Sequence, residues 1–112
     1  MIGYLIDPYE RKVTEVELAV MEDGDVDIHA LYEYMNCQMI EAIYPEYAKS
    51  DIIYLDEEGR LKPSVGWFCT LWPLEVLMGK AIWIGRKGER NASPKCTREY
   101  VASHIVWSKD ER

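Results

Sequence analysis

The sequence predicts an α+β fold: a single domain, residues 1–112, with a mostly antiparallel sheet of about five or six strands, one main helix on one face and a short C-terminal helix. Three observations carry this. Residues Ile2–Ile6 and Val13–Leu18 flank an Asp7-Pro8 turn, and the second stretch alternates apolar and polar side chains. Ile52-Ile-Tyr-Leu55 is apolar on both alternating faces, as in a strand covered on two sides. Between them lies a stretch with helical spacing: Ile28, Leu31, Tyr32 and Met35 fall at i, i+3, i+4 and i+7.

Each element has a local cause. Pro8 pre-sets the turn between the first two strands. Met21–Asp27 is acidic, carries Gly24 and leads into the helix, which Asp25 or Asp27 caps and Asn36 or Cys37 ends. Gln38–Tyr44 reads as a strand stopped by Pro45. After Ile52–Leu55, three adjacent carboxylates, Asp56, Glu57 and Glu58, need water and force a turn. Gly59 is expected to close that turn with a positive φ, and Pro63 limits the return strand Arg60–Lys62 to a short or edge position. Ala81–Ile84 is a further strand, and Gly85–Thr97 is an open basic loop. Thr97 caps a short helix over Arg98–Ser103, and Ile105–Trp107 closes the sheet.

Composition bounds the function. A chain of 112 residues buries roughly two thirds of its unfolded surface, and 48 % hydrophobic residues exclude a disordered one. No apolar run approaches the roughly 20 residues of a membrane span. Met1–Asp7 has no basic residue ahead of its apolar stretch, so it reads as a strand rather than a secretory signal. Cys37, Cys69 and Cys96 are three in number with no close pair, the pattern of reduced thiols in a cytoplasm. They and the two histidines, His29 and His104, lack zinc-site spacing, and no metal or cofactor is expected.

Charge is unevenly distributed. Residues 1–58 hold 15 acids and 3 bases, whereas residues 59–112 hold 5 acids and 10 bases. If this segregation survives folding, the molecule has an acidic face and a basic rim. A net charge of −7 disfavours direct binding to a nucleic-acid backbone and suits a partner with a basic surface.

Catalytic and metal motifs fail one by one. Ser103 and His104 are neighbours that a strand would point to opposite faces. His29 and Cys37 lie about two helical turns apart. Asp23, Asp25 and Asp27 match the first three ligands of a calcium loop, but its glycine position falls on Ile28 and its closing glutamate on Tyr34. No phosphate-binding glycine motif occurs.

The runs Ile40–Pro45, Asp51–Pro63, Trp67-Phe68, Pro73–Gly85, Ser93–Val101 and Ile105–Trp107 together resemble a family of small phage and plasmid proteins. Those proteins pair an N-terminal hairpin and helix with an Asp/Glu-Glu-Gly turn and a Pro-Leu…Gly-Lys lead-in to a strand. The matching positions are Glu57, Glu58, Gly59, Leu61, Pro73, Leu74, Gly79, Lys80 and Gly85. The resemblance implies a mobile-element accessory protein and carries no assigned activity.

Two function classes follow. The first is a non-catalytic interaction protein of a host cytoplasm, with Glu22, Asp23, Asp25, Asp27, Asp56, Glu57 and Glu58 facing a basic partner. Trp67, Phe68 and Trp72 are then its apolar anchors, or else core. Inhibition of a host nucleic-acid-binding defence factor is a concrete version, and self-association is left open. The alternative is a small anion, such as a nucleotide, held by Arg86, Lys87, Arg90, Lys95 and Arg98.

Overall fold

A computed structural model describes residues 1–45, 48–59, 67–71 and 74–107. The return strand expected at Arg60–Lys62, together with Trp72, lies outside the described residues. The α+β class holds. The first hairpin joins β1 (Ile2–Asp7) to β2 (Lys12–Glu17), and α1 (Ile28–Met35) follows. Next come β3 (Ile40–Ile43), β4 (Ile52–Asp56), β5 (Trp67–Leu71) and β6 (Leu74–Met78). The chain continues through β7 (Ala81–Lys87), β8 (Arg90–Ala92), α2 (Arg98–Ser103) and β9 (Ile105–Trp107).

The main sheet runs β2-β1-β7-β4-β3, with β8 on the extension of β7, and every pair is antiparallel. Alternation along its central strands divides the core in two. Ala81 and Trp83 of β7 pack with Tyr4, Ile6, Ile53 and Leu55, whereas Ile82 and Ile84 pack with Ile52, Leu31 and Met35 beneath α1. The two-sided apolar pattern of residues 52–55 thus has its predicted cause: the sheet is the middle of three layers.

β5, β6 and β9 form a separate three-stranded sheet in the order β6-β5-β9. Ile105–Trp107, expected to close the main sheet, pairs instead with β5. Leu77 and Ile105 join the core on the side of Trp83, together with Val101 of α2. α2 also shields the outer edge of β2, where the Arg98 Nη1 donates to the Val13 carbonyl at 3.3 Å.

Helix boundaries follow their caps. Asp27 accepts from the His29 N–H at 2.9 Å and starts α1, and Asn36 ends it in the left-handed region at φ 53°. Leu31 and Met35 are buried, but Ile28, placed on the buried stripe by its spacing, is the first residue of α1 and is 42 % exposed. Thr97 caps α2 by accepting from the Tyr100 N–H at 3.1 Å.

The basic segment is more ordered than an open loop. β7 continues to Lys87, reverses through Gly88 and returns as β8. Gly59, expected at positive φ, does not adopt it; the left-handed turn falls at Gly79, φ 83°, ahead of β7. Glycine is needed at position 59 for closeness: a Cβ there would stand 2.8 Å from the Met78 carbonyl oxygen.

One buried carboxylate ties the layers. Asp51, 1 % exposed, accepts from the Trp83 Nε1 at 2.8 Å and the backbone N–H groups of Lys95 and Cys96 at 2.9 and 3.0 Å. The Tyr4 hydroxyl donates to the Cys96 carbonyl at 2.8 Å, so this turn is held from both sides. Burial, then the adjacent Asp51 carboxylate, push the Cys96 thiol from 9.0 up to about 11. Burial also raises Tyr4 and Tyr54.

Two outcomes follow. Gly59→Ala should cost about 1–3 kcal/mol in urea melts, because the new methyl meets backbone rather than a yielding side chain. Gly59→Asn should do no better, since no left-handed conformation is involved; rescue by Asn would contradict the assignment. In alkali, the unfolded chain releases the Cys96 proton near 9.0 while the folded chain keeps it to about 11, so stability should fall as pH rises through that window. A melting temperature flat across it, or an equal decline in Cys96→Ala, would contradict the raised pKa.

Candidate functional site

The end of the main sheet at which β1 and β4 finish and β7 begins gathers carboxylates. Ile6 and Leu55 both stand opposite Ala81, so Asp7 and Asp56 emerge on either side of Lys80. Both acids are 8 % exposed and close their own turns. Asp7 Oδ1 accepts from the Tyr9 and Glu10 N–H groups at 2.9 and 3.2 Å, and Asp56 Oδ1 accepts from Glu58 N–H at 2.9 Å. The C-terminal end of α1 completes a cleft of about 310 Å³ lined by Asp7, Tyr9, Glu10, Asn36, Asp56 and Lys80.

A second, more open cleft adjoins it across Asn36, with Tyr32, Glu33, Gln38 and Glu58 on its walls. Glu10, Glu33, Glu57 and Glu58 are exposed on this end of the molecule. Two apolar side chains stand among them: Tyr9 is 48 % exposed and Met39 47 %, the latter beside the turn because its carbonyl accepts from Glu57 N–H at 3.0 Å. Glu10 pairs with Lys12 at 3.6 Å in an exposed contact that barely reduces the local charge. The arrangement is a set of exposed carboxylates with two exposed, largely apolar side chains among them.

The predicted acids do not share one face. Asp23, Asp25 and Asp27 lie at the N-terminal end of α1, an eight-residue helix about 12 Å long, and Asp56, Glu57 and Glu58 near its C-terminal end. The side chains of the first three are engaged by backbone N–H groups. Asp23 Oδ1 accepts from Asp25 N–H at 2.9 Å, Asp25 Oδ1 from Val26 at 2.8 Å and Asn91 at 3.0 Å, and Asp27 caps the helix.

Nor do the acidic and basic segments separate. Arg90 Nη1 donates to the Asp23 carbonyl at 2.6 Å, which docks the basic hairpin on the acidic loop. Arg98 is occupied at β2 and lies 3.4 Å from Glu99, and Lys87 is exposed at the end of β7. Arg86 and Lys95 alone among the predicted cations meet, across a different cleft. Trp67 and Phe68 stand in register opposite Met78 and Leu77 in the second sheet, and Trp72 lies outside the described residues.

Ser103 and His104 do touch, contrary to their expected separation on a strand, because His104 is the C-cap of α2. Ser103 Oγ lies 3.1 Å from His104 Nδ1, but the Ser103 hydroxyl also donates to the Tyr100 carbonyl at 2.6 Å and Nδ1 lies 2.8 Å from that same oxygen. The pair is built into a helix terminus.

Nothing in the sequence marks Tyr9, Glu10, Glu33 and Met39 as site residues, because each is an ordinary surface residue until β1, β4 and α1 converge. Asp51 carried one signal, a carboxylate directly ahead of a strand apolar on both faces. Compared with protein-family models, curated proteins and solved structures, the chain matches none.

Proposed function

We propose that this protein is a non-catalytic interaction protein whose acidic end docks on a basic, partly apolar surface of another protein. The supporting observation is the rim of exposed Glu10, Glu33, Glu57 and Glu58 around Tyr9 and Met39. Charge without an apolar anchor steers encounter but adds little lasting affinity, whereas exposed Tyr and Met beside it supply area to bury. Such a surface fits a groove that carries Lys and Arg for phosphate. The resemblance to phage and plasmid accessory proteins suggests a host nucleic-acid-binding defence factor as the owner of that groove.

Host-lysate capture followed by titration of the recovered partner tests this reading. Glu33→Gln/Glu57→Gln/Glu58→Gln should keep the melting temperature, weaken binding about tenfold and flatten its salt dependence. Tyr9→Ala should weaken binding with the salt slope intact, and Glu22→Gln at the other end of α1 should change neither. A partner indifferent to the triple substitution and to salt would overturn the proposal.

A further inference from the structure

At the opposite end of β4 and β7 lies a cleft of about 520 Å³, between the segment after β3 and the β7–β8 hairpin. Its walls carry Tyr44, Ser50, Arg86, Gly88 and Lys95, with Asp51 at its base. This volume falls within the range of small-molecule sites.

Its cations are positioned and only partly used. The Arg86 guanidinium carbon sits 5.4 Å from the centroid of the Tyr44 ring, a cation–π contact, and its Nη2 makes one long bond of 3.4 Å to the Gly88 carbonyl. Lys95 Nζ donates to the Arg86 carbonyl at 2.9 Å, which brings the ammonium group to the same strand and leaves two of its protons. Among the described residues neither cation has a carboxylate partner within salt-bridge distance. Asp51 is no substitute: its oxygens are engaged by the Trp83 indole and the Lys95 and Cys96 amides.

The chemistry of the remaining wall narrows the ligand. Tyr44 is 62 % exposed although Arg86 covers part of it, so ring surface is left for a planar group to stack on. Ser50 offers a hydroxyl from a strained turn, where Lys49 and Ser50 stand at φ 55° and 75° in succession. Two adjacent non-glycine residues in the left-handed region persist only where their surroundings hold them, as functional sites do.

We propose that this cleft binds a phosphate monoester joined to a planar aromatic group, the chemistry of a nucleoside monophosphate. Arg86 and Lys95 hold the phosphate, Ser50 donates to it and Tyr44 stacks on the base. The site is independent of the acidic surface, so either assignment can fail alone.

Isothermal titration with AMP, ribose 5-phosphate and adenosine tests it. AMP should bind, ribose 5-phosphate more weakly, and adenosine more weakly still. Arg86→Gln and Lys95→Gln should each weaken AMP binding about tenfold or more, and the Lys95 backbone N–H that Asp51 requires is retained. Tyr44→Ala should bring AMP down to the affinity of ribose 5-phosphate and leave the latter unchanged. Lys87→Gln, one residue along the strand and outside the cleft, should bind as the parent does, and circular-dichroism melts identify any variant that fails to fold. No heat with AMP, adenosine binding as well as AMP, or equal losses in Lys87→Gln and Arg86→Gln would overturn the proposal.

Discussion

The structure depends on how an indole N–H is accommodated in a dry core. Trp83 is fully buried at the centre of the main sheet, in register with Tyr4 on one side and Ile53 on the other. An unpaired N–H there would cost about 1–3 kcal/mol. Asp51 supplies the acceptor, but a buried carboxylate is costlier still unless its own lone pairs are filled. Lys95 and Cys96 fill them with backbone N–H groups, and those donors exist only if the segment before α2 lies beneath the sheet. One tryptophan thereby dictates the path of a segment 12 residues further along the chain.

Both candidate surfaces inherit their geometry from that anchoring. Asp51 directly precedes β4, whose far end delivers Asp56 beside Lys80, so the acidic cleft is registered against the same strand. On the near side, the Asp51 bonds hold Lys95 against the β7–β8 hairpin, while Asp51 N–H donates to the Ala48 carbonyl at 2.9 Å and closes the strained turn carrying Ser50. The sheet is the ruler that keeps an acidic end and a cationic cleft apart. Among the described residues, no helix is long and apolar enough to cross a membrane.

Legibility in the sequence tracked the range of the interactions. The Asp27 and Thr97 caps, the alternation of the first hairpin and the two-sided apolarity of residues 52–55 are local signals, and each has its structural counterpart. The split into two sheets is not local: β5 pairs with β6 on one side and with β9, about 37 residues later, on the other, instead of extending the main sheet. Glycine after three acids is a turn signal and points to a torsional requirement at Gly59, whereas its cause is contact with Met78 across the fold. The acids form one group only in the sequence: α1 separates them, and Asp25, Asp27 and Asp56 complete backbone turns or a cap. Residue type marks where charge is; only the fold decides which charge is left over.

A double-mutant cycle between Asp51 and Trp83 tests the central claim most directly. Urea unfolding of Asp51→Ala, Trp83→Phe and the double variant separates their interaction from the cavity each substitution leaves. The account predicts a large loss for Asp51→Ala, about 3 kcal/mol or more, because three donors, two of them buried, lose their acceptor at once, and a coupling of about 1–3 kcal/mol between the two positions. Strictly additive losses, with Asp51→Ala no worse than an ordinary surface substitution, would contradict it.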